Sequence, residues 1–120
     1  MILTISIQMC SGKNAIRTTR TGQRYPGKRF KVWREEATKQ LRGQIGSNYH
    51  LPYKQRCGFD VDYTPGDKRT RDVPGMADAL FSLLVYAGVV KDDGLIRNMS
   101  WRELPMNRKE PYVRMVIEEL

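Results

Sequence analysis

Between residues 56 and 88 the hydrophobic period changes once, and that change restricts the fold more than any other feature of the chain. Cys57, Phe59, Val61 and Tyr63 alternate with Gly58, Asp60 and Asp62, the period-2 pattern of a half-buried strand over 56–64. Pro65-Gly66-Asp67 then supplies turn chemistry. From about Val73 to Tyr86 the period lengthens. Met76, Leu80, Leu83, Leu84 and Ala87 predict the buried stripe of a helix. Its ends are marked as well: Asp72 is a side-chain N-cap, Pro74 sits in the first turn where its missing N–H costs nothing, and Gly88 lies just past the end. A half-buried strand leading into an amphipathic helix calls for a sheet with helices on it.

The remaining elements fit that scheme. Leu3, Ile5 and Ile7 predict an opening strand over 2–9, although Ile2 makes the alternation imperfect. Residues 10–29 are rich in Gly, Thr, Lys and Arg and too poor in apolar side chains to bury, so they read as one long basic loop. Phe30, Trp33, Ala37 and Leu41 recur at spacings of three and four and predict an amphipathic helix from Arg29 to about Ile45. Gly43 and Gly46 end it, and the turn-prone residues 47–52 follow. Lys91-Asp92-Asp93-Gly94 is a turn. Residues 95–104 and 111–118 predict two more strands, joined by a polar loop. The order β–α–β–α–β–β in 120 residues, with no repeat or linker, implies a single α+β domain with two main helices on a mixed or antiparallel sheet.

Composition narrows the function. Lys and Arg number 21 against 13 Asp and Glu, a formal charge of +8, which makes a polyanion the first partner to consider. No stretch approaches the roughly 20 apolar residues of a membrane span, and the N-terminus lacks the basic start and apolar run of a signal peptide. Two cysteines, Cys10 and Cys57, make no disulfide framework, which fits a cytoplasmic setting. The one histidine, His50, stands in a turn and reads as a solvent-facing polar side chain. Without a second, neither cysteine has a histidine-dependent nucleophile's partners and a zinc site lacks ligands. No GxxxxGK[ST] or GxGxxG occurs, which removes most kinase, NTPase and dehydrogenase chemistry.

Carboxylates remain. Asp72, Asp78, Asp92 and Asp93 bracket the second helix, and Asp60, Asp62 and Asp67 precede it. Such oxygens hold hard cations, Mg²⁺ or Mn²⁺, and an ion of that kind activates water for phosphodiester cleavage. The plainer reading is that Asp72 only caps a helix and Asp92-Asp93-Gly94 only builds a turn. Lys13, Arg17, Arg20, Arg24, Lys28, Arg29, Lys68, Arg69 and Arg71 stand near these acids in sequence, and such groups hold a phosphate backbone. Their plainer reading is a solvated basic face. Tyr25 is the lone aromatic in the first loop, so base stacking is weakly signalled.

Three segments together resemble the RusA family of Holliday-junction resolvases, small phage and prophage endonucleases. Ser11-Gly-Lys13-Asn14, followed by Arg17 and Gly22-Gln-Arg24-Tyr25, resembles the family's Pro-Ser-x-Asn loop. Arg69-Thr-Arg71-Asp72 is similar to its basic run before Asp-x-Asp-Asn. Tyr86-Ala87-Gly88-Val-Val-Lys91-Asp92-Asp93 is similar to its Ala-Gly-x-x-x-Asp-Asp. The last two fit at the family's spacing without a gap, and the matches span about residues 4 to 118. The resemblance implies a homodimeric, Mg²⁺-dependent endonuclease that cuts four-way DNA junctions, with Asp72 and Asp93 on metal-binding acids and Asp92 beside them. It implies phosphate contacts from Lys13, Asn14, Arg17, Arg24, Lys68, Arg69 and Arg71. Pro74 stands where the family has a second acid, and Asp78 where it has a lysine. Pro74 and Asp78 share a helix face, so Asp78 is the expected replacement carboxylate, which leaves the lysine's role empty or filled by Lys68 or Lys91. The other readings are a degenerate protein that binds junctions without cutting them, and a small basic RNA-binding protein.

Helix geometry adds a constraint. At ~1.5 Å per residue, Asp72 and Asp92-Asp93 stand about 20 Å apart along a straight helix. Either the loop after Gly88 doubles back, or each site draws acids from two subunits.

Overall fold

The computed structural model describes residues 1–10, 16–18 and 20–120 of the chain, with only the backbone of 16–18 and 24–26. Four strands make the main sheet: β1 (Ile2–Ile5), β4 (Cys57–Thr64), β5 (Ile96–Glu103) and β6 (Tyr112–Glu119). Their spatial order is β1-β6-β4-β5. β6 runs antiparallel to both β1 and β4, whereas β4 and β5 are parallel, so the sheet is mixed. Parallel neighbours need a crossover. Here it is α2 (Val73–Tyr86), which carries the chain from the end of β4 back to the start of β5. The other helix, α1 (Lys28–Ile45), begins one residue before the sequence expectation.

One face of the sheet is dry. Leu3 and Ile5, Cys57, Phe59, Val61 and Tyr63, and Val113, Met115 and Ile117 point to the helices and are buried. They meet Phe30, Trp33, Ala37 and Leu41 from α1 and Met76, Leu80, Leu83 and Leu84 from α2, the stripes that the periodicity predicts. The other face carries Asp60 and Asp62 of β4, which bond to Ser100 and Arg102 of β5.

Three expectations need correction. The opening strand stops at Ile5 rather than running to residue 9, because the Ser6 amide turns to the Gln40 side chain of α1 at 2.7 Å. The segment 10–29 is not one loop. It contains a two-stranded antiparallel ribbon, β2 (Ile16–Thr18) and β3 (Arg24–Pro26), whose turn uses Gly22 at φ 86°. The strand expected from residue 95 starts at Ile96, after a one-turn 3₁₀ helix at Asp93–Leu95.

α2 ends as its sequence indicates. Gly88 adopts φ 78°, its amide donates to the Val85 carbonyl, and the Val89 amide donates to the Leu84 carbonyl at 2.8 Å. This is a Schellman closure. Val89 and Val90 are then buried, and Tyr53 fixes them by accepting from the Lys91 amide and donating its own amide to the Val89 carbonyl.

Candidate functional site

The four candidate acids occupy the two ends and the flank of α2. Asp72 caps its start: Oδ2 accepts the Gly75 amide at 3.0 Å. Gly75 suits that cap, since a Cβ there would stand 2.9 Å from both Asp72 oxygens. Asp78 is exposed one turn and a half further on. Asp92 and Asp93 lie beyond the far end, where Asp92 Oδ1 accepts the Gly94 amide at 2.8 Å and opens the 3₁₀ turn. Two of the four acids therefore have the plain structural task that sequence reading held open for them. Neither task occupies both carboxylate oxygens.

The topology settles how far apart these ends are. Asp72 follows the last residue of β4, and Asp93 precedes the first residue of β5, which pairs with the first residue of β4, Cys57. The chain after Gly88 runs straight into β5 and does not double back along α2. Fourteen helical residues at ~1.5 Å each keep the two ends about 21 Å apart. Among the described residues, no three His, Cys, Asp or Glu side chains are grouped to hold a metal ion. The carboxylates suit a hard cation, but one chain alone does not assemble them around it.

Cations accompany the acids at both ends. At the Asp72 end, the 65–71 loop presents Lys68 and Arg69, both exposed, across a cleft from Glu103, Leu104, Pro105 and Met106. Arg71 behaves differently. Its guanidinium grips Asp67 through two bonds of 2.8 and 3.0 Å, and its side chain is only 9% exposed. Asp67 in turn is held below its ordinary pKa, chiefly by that bond. The Arg71 charge is committed inside the loop, not offered to a phosphate. The loop is anchored further by Gln8, which accepts the Gly66 amide and donates to the Tyr63 hydroxyl. Gly66 is required here, because a Cβ would meet Gln8 at 2.8 Å and Pro111 at 2.9 Å.

At the other end, Asp92 and Asp93 line a hollow with Arg34, Ser82, Val85, Tyr86 and Lys91. Arg34 escaped the sequence reading. Its guanidinium lies 3.9 Å from the Tyr86 ring centroid and 5.4 Å from that of Phe30, a cation held between two π faces. The only sequence signal for it is its position one turn after Phe30. The Tyr86 hydroxyl donates to Glu35 at 2.5 Å, and that bond raises its pKa. Of the other predicted phosphate ligands, Lys13 and Asn14 lie outside the described residues, and Arg17 and Arg24 stand on the β2–β3 ribbon.

No described helix is long and apolar enough to cross a membrane. No protein-family model matches the chain, and no curated protein matches it significantly.

Proposed function

We propose that this protein is a metal-dependent endodeoxyribonuclease that cuts four-way DNA junctions, as its resemblance to the RusA resolvases implies, and that it works as a homodimer. The observation that carries this reading is the placing of exposed carboxylates beside cations at both ends of one helix: Asp72 with the exposed Lys68 and Arg69, and Asp92-Asp93 with the exposed Lys91 and the half-buried Arg34. Carboxylates serve metal-assisted phosphodiester hydrolysis, and flanking cations hold the strand. A bound Mg²⁺ or Mn²⁺ would supply the activated water and the neutralisation of charge on the leaving oxygen. Since one chain separates the acids, a complete ligand set takes Asp72 from one subunit and Asp93 from the other. Asp78, exposed on α2, is the carboxylate available to stand in for the acid that Pro74 displaces.

Pro74 also favours a second reading, a junction-binding protein that has lost its chemistry. The deciding experiment is cleavage of a synthetic four-way junction in Mg²⁺, Mn²⁺ or EDTA, with linear duplex as control. Paired symmetric nicks that require metal are expected, with activity abolished in Asp72→Asn and strongly reduced in Asp78→Ala. Asparagine caps a helix about as well as aspartate, so Asp72→Asn tests the charge and not the fold. Tight junction binding without cleavage in either metal would establish the non-catalytic reading. Binding to RNA with no preference for branched DNA would overturn both.

A further inference from the structure

Residues 104–111, which join β5 to β6, are more numerous than the crossing requires. β4 lies between those two strands, so the chain has two strand spacings to cover, about 10 Å. About three extended residues span that distance, and eight are present. The surplus is exposed from Pro105 to Glu110. It stands at the end of the sheet where Tyr63 pairs with Glu103, the same end at which the 65–71 loop leaves β4.

The loop is held in place. The Leu104 amide donates to the Tyr63 carbonyl at 2.7 Å, and the Asn107 amide donates to the Pro65 carbonyl at 2.8 Å. Asn107 Oδ1 accepts the amides of Lys109 and Glu110 at 3.1 and 3.2 Å, a side-chain turn that shapes the tip. A side chain displayed from such a loop loses little freedom when it meets a ligand.

The cleft between this loop and the 65–71 loop has two unlike walls. Leu104, Pro105 and Met106 make an apolar one, and Lys68, Arg69 and Thr70 a cationic one. Met106 is 39% exposed within a polar, charged stretch. Neither Lys68 nor Arg69 makes an ion pair among the described residues. The acids nearby do not cancel them: Asp67 is engaged by Arg71, and the exposed Glu103 and Glu110 are balanced by the exposed Arg108 and Lys109. An apolar wall facing a cationic one is complementary to a nucleotide, which has a flat base at one end and an anionic phosphate at the other.

We propose that this cleft takes one unstacked nucleotide of branched DNA, its base against Met106 and its phosphate on Lys68 and Arg69. In linear duplex every base is stacked, and drawing one out is costly. Where four helices meet the stacks are interrupted, so the same displacement costs less. An apolar side chain set against the opened step holds it open, and unbranched, polarisable methionine adapts to any base. Arg71 also lines the cleft and Asp72 follows it in sequence, so the captured nucleotide flanks the strand offered to that acid. The inference rests on the proposed function and deepens it: Met106 is the residue that tells a junction from a duplex.

The test is made in EDTA, so that binding is read apart from cutting. The probes are a synthetic four-way junction carrying 2-aminopurine at the branch point, which brightens when unstacked, and a linear duplex carrying it at the same step. Wild type is expected to brighten the junction and not the duplex. Met106→Ala removes that rise and raises the junction dissociation constant ~10-fold, with the duplex constant unchanged. Met106→Leu, apolar and of similar volume, keeps both near wild type. Arg69→Gln weakens junction and duplex alike and lowers the salt slope of binding by about one. A Met106→Ala protein that discriminates as well as wild type overturns the proposal, as does an equal loss on junction and duplex. Either result leaves the nuclease reading standing where wild type still makes paired nicks with Mg²⁺ restored. A wild type that unstacks the junction but cuts it in neither metal supports the cleft and overturns the nuclease. A wild type that does not bind the junction overturns both.

Discussion

At the scale of single residues, Arg71 and Asp67 show how a basic run is divided between scaffold and surface. Lys68, Arg69 and Arg71 look alike in sequence, yet only Arg71 meets a carboxylate at i−4 and turns inward. Its bonds hold Asp67 below the ordinary Asp value of 3.8, against an opposing effect of burial. A carboxyl whose pKa is lower folded than unfolded stabilises the fold above its ordinary pKa and loses that contribution as pH falls through the folded value. Asp67→Asn is therefore expected to lower the melting temperature at neutral pH, and the gap to wild type is expected to narrow in acid. Melting curves of both proteins from pH 7 down to pH ~2 check this. A gap that stayed constant across that range would mean that the Arg71 contact contributes nothing through charge.

At the scale of elements, a helix was readable wherever packing and capping agreed, and strands were readable where both a face and a partner existed. α2 runs from Val73 to Tyr86 as expected because Asp72, Pro74 and Gly88 each mark a boundary independently of the apolar stripe. The β2–β3 ribbon was not legible. Its strands have three residues each and carry Arg17 and Arg24, so no alternation builds up. Nor could sequence shorten β1, because what ends it is a long-range bond from Ser6 to Gln40. Local pattern marked the four acids as candidates, and helix length set Asp72 about 20 Å from Asp92-Asp93, but it left open whether the chain after Gly88 doubles back. That the chain does not fold back follows from β4 and β5 being parallel. On β1 the Gln44 side-chain amide accepts from the Thr4 N–H at 2.7 Å and donates to the Thr4 carbonyl at 2.6 Å, and these edge bonds are testable on their own. Gln44→Ala leaves the Thr4 N–H and C=O without a protein partner and is expected to lower stability by about 1 kcal/mol. The Thr4 amide should also exchange faster with solvent, read by denaturant titration and hydrogen exchange. Unchanged exchange at Thr4 would show that water replaces the glutamine without loss.

At the scale of the whole molecule, the candidate acids stand at opposite ends of α2, and among the described residues one chain does not bring three of them together. In the proposed homodimer, a two-fold axis that runs the two α2 helices antiparallel brings the start of each level with the end of the other. On the proposed reading two sites form per dimer, each with Asp72 from one chain and Asp93 from its partner, to match the two symmetric strands of a junction. Mixing variants separates this arrangement from a self-contained site. Asp72→Asn and Asp93→Asn homodimers each have two broken sites. A heterodimer of the two concentrates both lesions in one site and leaves the other whole. Random exchange makes half the dimers mixed, so about a quarter of wild-type sites return. Each mixed dimer holds one working site, so the product is a single nick rather than a paired cut. Sites built within one chain would return no activity on mixing, because each chain would keep its own lesion.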